Sequence, residues 1–383
     1  MNQEQETLET KVEITRSQFD LYYRYFFPYD PFISWLLLHS VYPLSHREFS
    51  FSEDMWNRYK CFESATELKQ ALLFQCPNKL DVGPCYNVPV SQRKEVQTKF
   101  YAEEKELVFD IDITDYNKNN NHSRNCCSPT SMCDKCWPLM ICAYEIMKFY
   151  FTEEFDFKEF IGIYSGRRGI HIHVSDESVK QYPDRSRETL LNYIIFNPKL
   201  LNTPTYDYIY NTFLIPCFEK MIQSQNRYYF NTEQDCYDIC VKYFKNPEIV
   251  KKMLDGLFDD TTPIQRWKKI NYFIHHGTNK QNEQLSLELK TLVFDRIYPK
   301  LDTDVSKSMI HLLKAPFSIH HLTGNICVPM NEFSLLKDLQ KMNIFNLEYE
   351  FKQSNNNKSF TIQDSSLFKY IEHFLFFLEK KQK

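Results

Sequence analysis

Apolar residues recur at three- and four-residue spacing between positions 17 and 27 (Phe19, Tyr22, Tyr23, Phe26), which predicts an amphipathic helix ended by Pro28. At Glu106 the period changes to two. Leu107, Phe109, Ile111 and Ile113 alternate with Val108, Asp110 and Asp112, so a strand is expected with one apolar face and one face bearing two carboxylates. Two further β runs, 162–164 and 170–174, flank Ser165-Gly166-Arg167-Arg168-Gly169 and read as a hairpin in which His171 leaves the turn on a polar face. From about 184 to 292 the spacing is helical (Ile249, Met253, Leu254, Leu257). The chain is therefore divided into a mixed α/β (α+β) module at 1–185 and 293–383 and an inserted helical subdomain at 186–292. A helix is expected over 305–313, capped by Asp304 and stopped by Pro316, followed by a second hairpin (317–320 and 325–328) turning at Thr323-Gly324. Asn-rich stretches at 117–121 and 353–358 read as loops, and a last helix places Leu367, Ile371, Phe374, Leu375 and Leu378 on one face.

Composition narrows the function classes. The chain has 383 residues with 25 Tyr and 32 Phe against 7 Gly, which excludes collagen-like, disordered and coiled-coil classes. Its longest apolar runs, 35–38 and 374–378, fall far below the ~20 residues of a membrane helix. A soluble protein with no membrane partner is expected. Residues 1–8 lack the basic flank and apolar run of a secretory signal, so a cytosolic or nuclear setting is expected. With 46 basic against 50 acidic residues there is no global positive field, and a polyanion would have to be held by a local site.

Three segments supply that chemistry. On an extended strand Asp110 and Asp112 share a face with Cα atoms about 6.6 Å apart. Two carboxylates so close suit a pair of divalent ions, or else a solvated strand face. The 165–169 turn combines a hydroxyl, two guanidiniums and two glycines, a composition suited to phosphate oxygens. Asp302 adds a third carboxylate or a helix cap. Lys314 adds a cation at a helix C-terminus, free for a phosphate or complementing the dipole, and His320 stands on a strand. Four of the 12 cysteines (Cys126, Cys127, Cys133, Cys136) fall within eleven residues and predict one structural zinc, with His122 as a reserve ligand in a motif spanning 122–136. Cys61, Cys76, Cys217, Cys236 and Cys240 read as core residues.

Five motifs occur in order: Arg47-Glu48-Phe49-Ser50-Phe51, Glu106 to Asp112, the cluster ending Cys136-Trp137, Ser165 to His171, and Leu312-Leu313-Lys314-Ala315-Pro316-Phe317-Ser318. Together they closely resemble the small catalytic subunits of eukaryotic-type DNA primases, over about residues 20–330. The resemblance implies an archaeo-eukaryotic primase fold with an inserted helical subdomain and a small zinc motif, making short RNA primers on single-stranded DNA. It further implies two Mg²⁺ or Mn²⁺ ions on Asp110, Asp112 and Asp302. A ribonucleoside triphosphate would lie on Ser165, Arg167, Arg168, His171, Lys314 and His320. Arg58 and Lys79 would be additional basic positions, Glu48 an extra acidic one, and Asp81 a residue near the ribose. A large primase subunit, the DNA polymerase alpha complex, template and RNA primer are the implied partners, in the nucleus. A repair-type primase-polymerase and a catalytically inactive zinc-bearing scaffold are the competing expectations.

Overall fold

A computed structural model describes residues 13–52, 56–116, 126–128, 131–224, 229–259, 262–276, 279–354 and 360–379. His122 and the 117–121 loop lie outside the described residues, as do 355–359 of the second Asn-rich stretch. Residue contacts divide the chain into two compact units, Met1–Asp110 with Phe157–Leu191 and Asp302–Lys383, and Ile111–Asp156 with Asn192–Leu301.

The first unit carries the mixed α/β architecture. Its first sheet runs β2 (Trp56–Lys60), β1 (Arg47–Ser52), β3 (Lys79–Tyr86), β4 (Ala102–Glu104), with β8 (Leu313–Lys314) also paired to β3. The second has the order β5 (Leu107–Asp112), β7 (Gly169–Val174), β6 (Phe160–Tyr164), β9 (Pro329–Met330). The helix Arg16–Tyr25 forms as its spacing predicts, closed by a Thr15–Gln18 capping box and burying Phe19, Tyr22 and Tyr23. The helix Phe368–Glu379 also forms, but its buried face is Leu367, Tyr370, Ile371, Phe374 and Phe377, with Leu375 and Leu378 only partly covered. Phe374 meets Trp35 and Phe317 there at ring separations of 6.3 and 5.2 Å.

The β6–β7 hairpin pairs antiparallel from Phe160–Val174 to Tyr164–Ile170. Every residue of β7 is buried, so its histidine face is not the polar face the alternation suggests. His173 packs edge-on to Trp35 at 5.3 Å, and burial first of all lowers its pKa to about 4. A buried neutral histidine makes the native state bind fewer protons than the unfolded one. Stability then falls as pH drops below the unfolded pKa of ~6.5, by roughly 2 kcal/mol at pH 5 for this residue. His173→Leu is expected to weaken the pH 7-to-5 fall in melting temperature; an unaltered fall would contradict this assignment.

The second unit is built from helices among its described residues. Thr203, Asn246 and Thr262 cap helices whose first residues are Pro204, Pro247 and Pro263, a pairing in which the cap satisfies the end amides and proline needs none. Phe196, Tyr206, Phe294 and Tyr298 stack at its centre, with Tyr206 and Phe294 rings 5.0 Å apart. The helical stretch expected at 186–292 falls largely in this unit, which also takes residues 111–156. Of the cysteines read as core, Cys76, Cys217, Cys236 and Cys240 are buried, whereas Cys61 is partly exposed.

Candidate active site

Strand β5 presents Val108, Asp110 and Asp112 on one edge, and Val108 is the anchor. It clusters with Val305 and Leu313, all buried. Each of these apolar residues lies within three positions of a charged one: Val108 of Asp110, Val305 of Asp302, Leu313 of Lys314. Hydrophobic packing thus assembles segments nearly two hundred residues apart. At the junction the Asp302 N–H donates to the Asp110 carbonyl at 3.0 Å. The helix beyond it is Thr303–Lys307, shorter than expected, and its cap is Asp302 rather than Asp304: Asp302 Oδ1 accepts from the Asp304 and Val305 amides at 3.1 and 3.4 Å. Residues 313–314 are a strand, because Leu313 and Lys314 pair with Val82 and Asp81 of β3, so Lys314 does not end a helix.

The pairing places Lys314 opposite Asp81 and on the face shared with Lys79, the open face of β3. From there Lys314 Nζ reaches the Ser165 carbonyl at 3.5 Å. The 165–169 turn is closed by Ser165 N–H to Gly169 O at 3.0 Å and Gly169 N–H to Ser165 Oγ at 3.1 Å. The second hairpin, which forms as expected with His320 N–H on Asn325 O at 2.7 Å, braces it: Thr323 Oγ1 and Asn325 Nδ2 both donate to Gly166 O, at 2.8 and 2.9 Å. Gly166 has φ +85°, and a Cβ there would stand 2.7 Å from His320 Cβ, so only glycine fits. Arg167 and Arg168 project half-buried from this braced tip.

Two histidines complete the cationic side as neutral donors. Burial, then Lys314, pushes His320 down to about 2, and Leu322 N–H donates to its Nδ1 at 3.3 Å. With Nδ1 accepting, the ring proton is on Nε2 and available to an anion. His171 is lowered too, by burial first and Lys314 next, and its Nε2 stands 3.7 Å from Asp110 Oδ1. Asp81 is pushed the other way, up by burial against the opposing pull of Lys314 and Lys79.

Glu48 is completely buried and already engaged. Arg58 grips it two-pronged at 2.8 and 3.0 Å, Tyr86 Oη donates at 2.8 Å and the Tyr59 amide at 3.1 Å. It orients Arg58, whose second Nη2 bond goes to Ile310 O at 3.0 Å. Gly83 beneath is closely covered: a Cβ there would lie 2.6 Å from Leu312 Cδ2 and 3.1 Å from Glu48 Cβ, so a larger residue would make Leu312 shift.

Aspartate oxygens are the hard donors that Mg²⁺ and Mn²⁺ prefer. Asp110 is 26% exposed, Asp302 is exposed with Oδ1 on its helix, and Asp112 Oδ1 takes the Thr114 amide and hydroxyl at 2.8 and 2.7 Å. Among the described residues only the four cysteines bring three or more ligand atoms within 4.8 Å of one another; the aspartates are not gathered so closely. Mg²⁺ commonly takes one or two protein carboxylates and completes its shell with water and substrate phosphates.

The cysteines fit zinc by a stricter measure. Sγ separations of 3.6 Å (Cys126–Cys127) and 3.8 Å (Cys127–Cys136, Cys133–Cys136) match the edge of about 3.8 Å of a tetrahedron with ~2.3 Å Zn–S bonds. Cys136 also precedes the helix Trp137–Phe149, whose N-terminal dipole favours thiolate.

A family profile described as DNA primase small subunit matches residues 109–332. The chain is 31% identical to the DNA primase small subunit of Schizosaccharomyces pombe over 346 residues (85% of this chain, 73% of that one). It is 32% identical to that of Caenorhabditis elegans over 400 residues (92% and 95%), and 30% identical to that of Saccharomyces cerevisiae over 363 (89% and 87%). The chain belongs to the DNA primase small-subunit family. As a eukaryotic-type member it takes the part of a primase catalytic subunit, and its mixed α/β architecture is that of the family's catalytic fold. No helix among the described residues is long and apolar enough to cross a membrane. Lys105, Tyr86 and Gly83 escaped the sequence reading. In sequence Lys105 sits within the charged stretch Glu103-Glu104-Lys105-Glu106, which looks like a solvated surface and gives no signal.

Proposed function

We propose that this chain starts and extends short RNA primers on single-stranded DNA, by nucleotidyl transfer from ribonucleoside triphosphates at Asp110, Asp112 and Asp302 with two Mg²⁺ or Mn²⁺ ions. One observation carries the reading: the Asp302–Asp110 junction and the Lys314 reach to the Ser165 turn belong to the same packed unit. Phosphoryl transfer asks for positioning and charge neutralisation rather than covalent chemistry, and that is what an acidic edge beside a braced cationic turn supplies. When bound, the ions would lower the pKa of the attacking 3′-hydroxyl and offset charge on the leaving pyrophosphate. Arg167, Arg168 and Lys314 would hold the triphosphate, with His171 and His320 donating as neutral rings and Ser165 lining the turn. Lys79 and Arg58 would extend the basic rim, Asp81 would stand toward the ribose, and Glu48 would hold Arg58 in place.

The 186–292 stretch is read as the inserted helical subdomain, and the cysteine set as one structural zinc. A chain of net charge −4 has little long-range pull on DNA, which supports a large primase subunit supplying template and primer contacts; a DNA polymerase alpha complex and the nucleus are the setting the family resemblance implies. Ribonucleotide incorporation on unprimed single-stranded DNA with Mg²⁺ or Mn²⁺ tests the function. Products begun from two ribonucleotides are expected. Extension only of existing ends would favour the repair-type enzyme, and no incorporation an inactive scaffold. Arg168→Ala is expected to raise KM for the triphosphate about tenfold with the fold intact; an unchanged KM would remove Arg168 from the phosphate site.

A further inference from the structure

A buried charge cluster lies at the root of β5, outside the site described above. Arg47, 1% exposed, grips Glu106 at 2.9 Å through both prongs. Arg187, fully buried, donates to the carbonyls of Lys105 (2.6 Å) and Glu106 (3.1 Å). Glu104, Lys105 and Lys180 are buried with them, so four cations share the interior with two carboxylates. Five of these six have clear work in pairing or in holding backbone carbonyls of the same cluster. Lys105 does not: its Nζ leaves the cluster and donates to the carbonyl of His311.

His311 is three residues before Lys314. The segment around it lacks regular structure, and three distant side chains hold it: Asp184 Oδ1 takes the Met309 amide at 2.9 Å, Arg58 takes the Ile310 carbonyl, and Lys105 takes the His311 carbonyl. The strand that follows has only two residues, held by its pairing with β3 and by Leu313 against Val108, and its lead-in at 309–311 is held by these three side chains. The Lys105 backbone is itself pinned, its N–H on Lys180 O at 2.9 Å and its carbonyl under Arg187. It also leads within two residues into the strand that carries Asp110.

We propose that Lys105 is a positioning residue for nucleotide binding, its Nζ donating to the His311 carbonyl so that Lys314 is held at a set distance from Asp110. The inference rests on the reading of Lys314 as a triphosphate ligand. A stabilising role alone does not explain this lysine, because an excess cation in a buried cluster costs stability. Burial first, then Arg187, pushes Lys105 down to about 7 despite Glu106 beside it.

The test is a double-mutant cycle in the full chain, measuring triphosphate KM, kcat and melting temperature for Lys105→Met, Lys314→Ala and the pair. Lys105→Met is expected to keep or raise the melting temperature, to raise KM about tenfold, and to leave kcat within about twofold. In the Lys314→Ala background it should add nothing to KM. Unchanged KM in Lys105→Met, or an equal further rise in the Lys314→Ala background, would overturn this role. If Lys105→Met does not fold, Lys105→Gln is measured instead under the same criteria. Failure of Lys314→Ala to raise KM would instead refute the nucleotide-site reading, so the two failures are distinguishable.

Discussion

Asp110→Ala is expected to abolish primer synthesis, to below about one-thousandth of the parent rate, while the melting temperature stays within a few degrees. The first half follows from the demand for charge neutralisation: a lost carboxylate at a phosphoryl-transfer centre removes several kcal/mol of transition-state stabilisation. The second follows from burial. β5 is held by Leu107, Phe109 and Ile111, all at 0% exposure, and by Val108, whereas the Asp110 side chain is partly in solvent. Asp302→Asn sharpens the argument. Asparagine caps a helix about as well as aspartate, so the Thr303–Lys307 helix should survive while a unit of charge is lost. Activity should collapse in this variant as well, by a hundredfold or more on the order of a lost ligand charge. Near-parent synthesis by either variant would refute the acidic centre, and a large loss of melting temperature in Asp302→Asn would show that its contribution is structural.

The second large effect is expected at the cysteines. Cys136→Ser should reduce bound zinc from one per chain to near zero and destabilise the second unit by about 3 kcal/mol or more, since metal binding free energy at such sites is folding free energy. For a unit of this size that is roughly a 6 to 12 °C fall in melting temperature. Zinc content by metal analysis and a thermal melt decide it. One zinc per chain retained in Cys136→Ser would remove that thiol from the set, and a zinc-free parent would remove the site.

What could be read from sequence followed how local each feature is. β5 and the 160–174 hairpin announce themselves through period-two apolar positions and a five-residue turn with glycine at φ +85°, all information carried within a few residues. The stretch 305–313 misled because Val305, Leu312 and Leu313 have helical spacing. The strand at 313–314 exists only because β3, more than two hundred residues earlier, pairs with it. Lys314 was accordingly picked out for the right charge on the wrong element. β1 was unreadable for a similar reason: Arg47 and Glu48 look like surface residues, yet each is buried against a partner, Glu106 and Arg58, that the sequence does not place nearby. Asp302 left two roles open at sequence level. The cap is visible in the structure, and its N–H also donates to the Asp110 carbonyl.

On the proposed function the acidic edge and the cationic turn serve one metal-bound triphosphate. Crystals of the chain soaked with Mn²⁺ and a non-hydrolysable ribonucleoside triphosphate, examined by anomalous scattering, test it most directly. The account predicts manganese peaks in contact with Asp110 and Asp302, with the triphosphate between them and Arg167, Arg168 and Lys314. Manganese bound away from those two aspartates, or a triphosphate that leaves the 165–169 turn untouched, would contradict it.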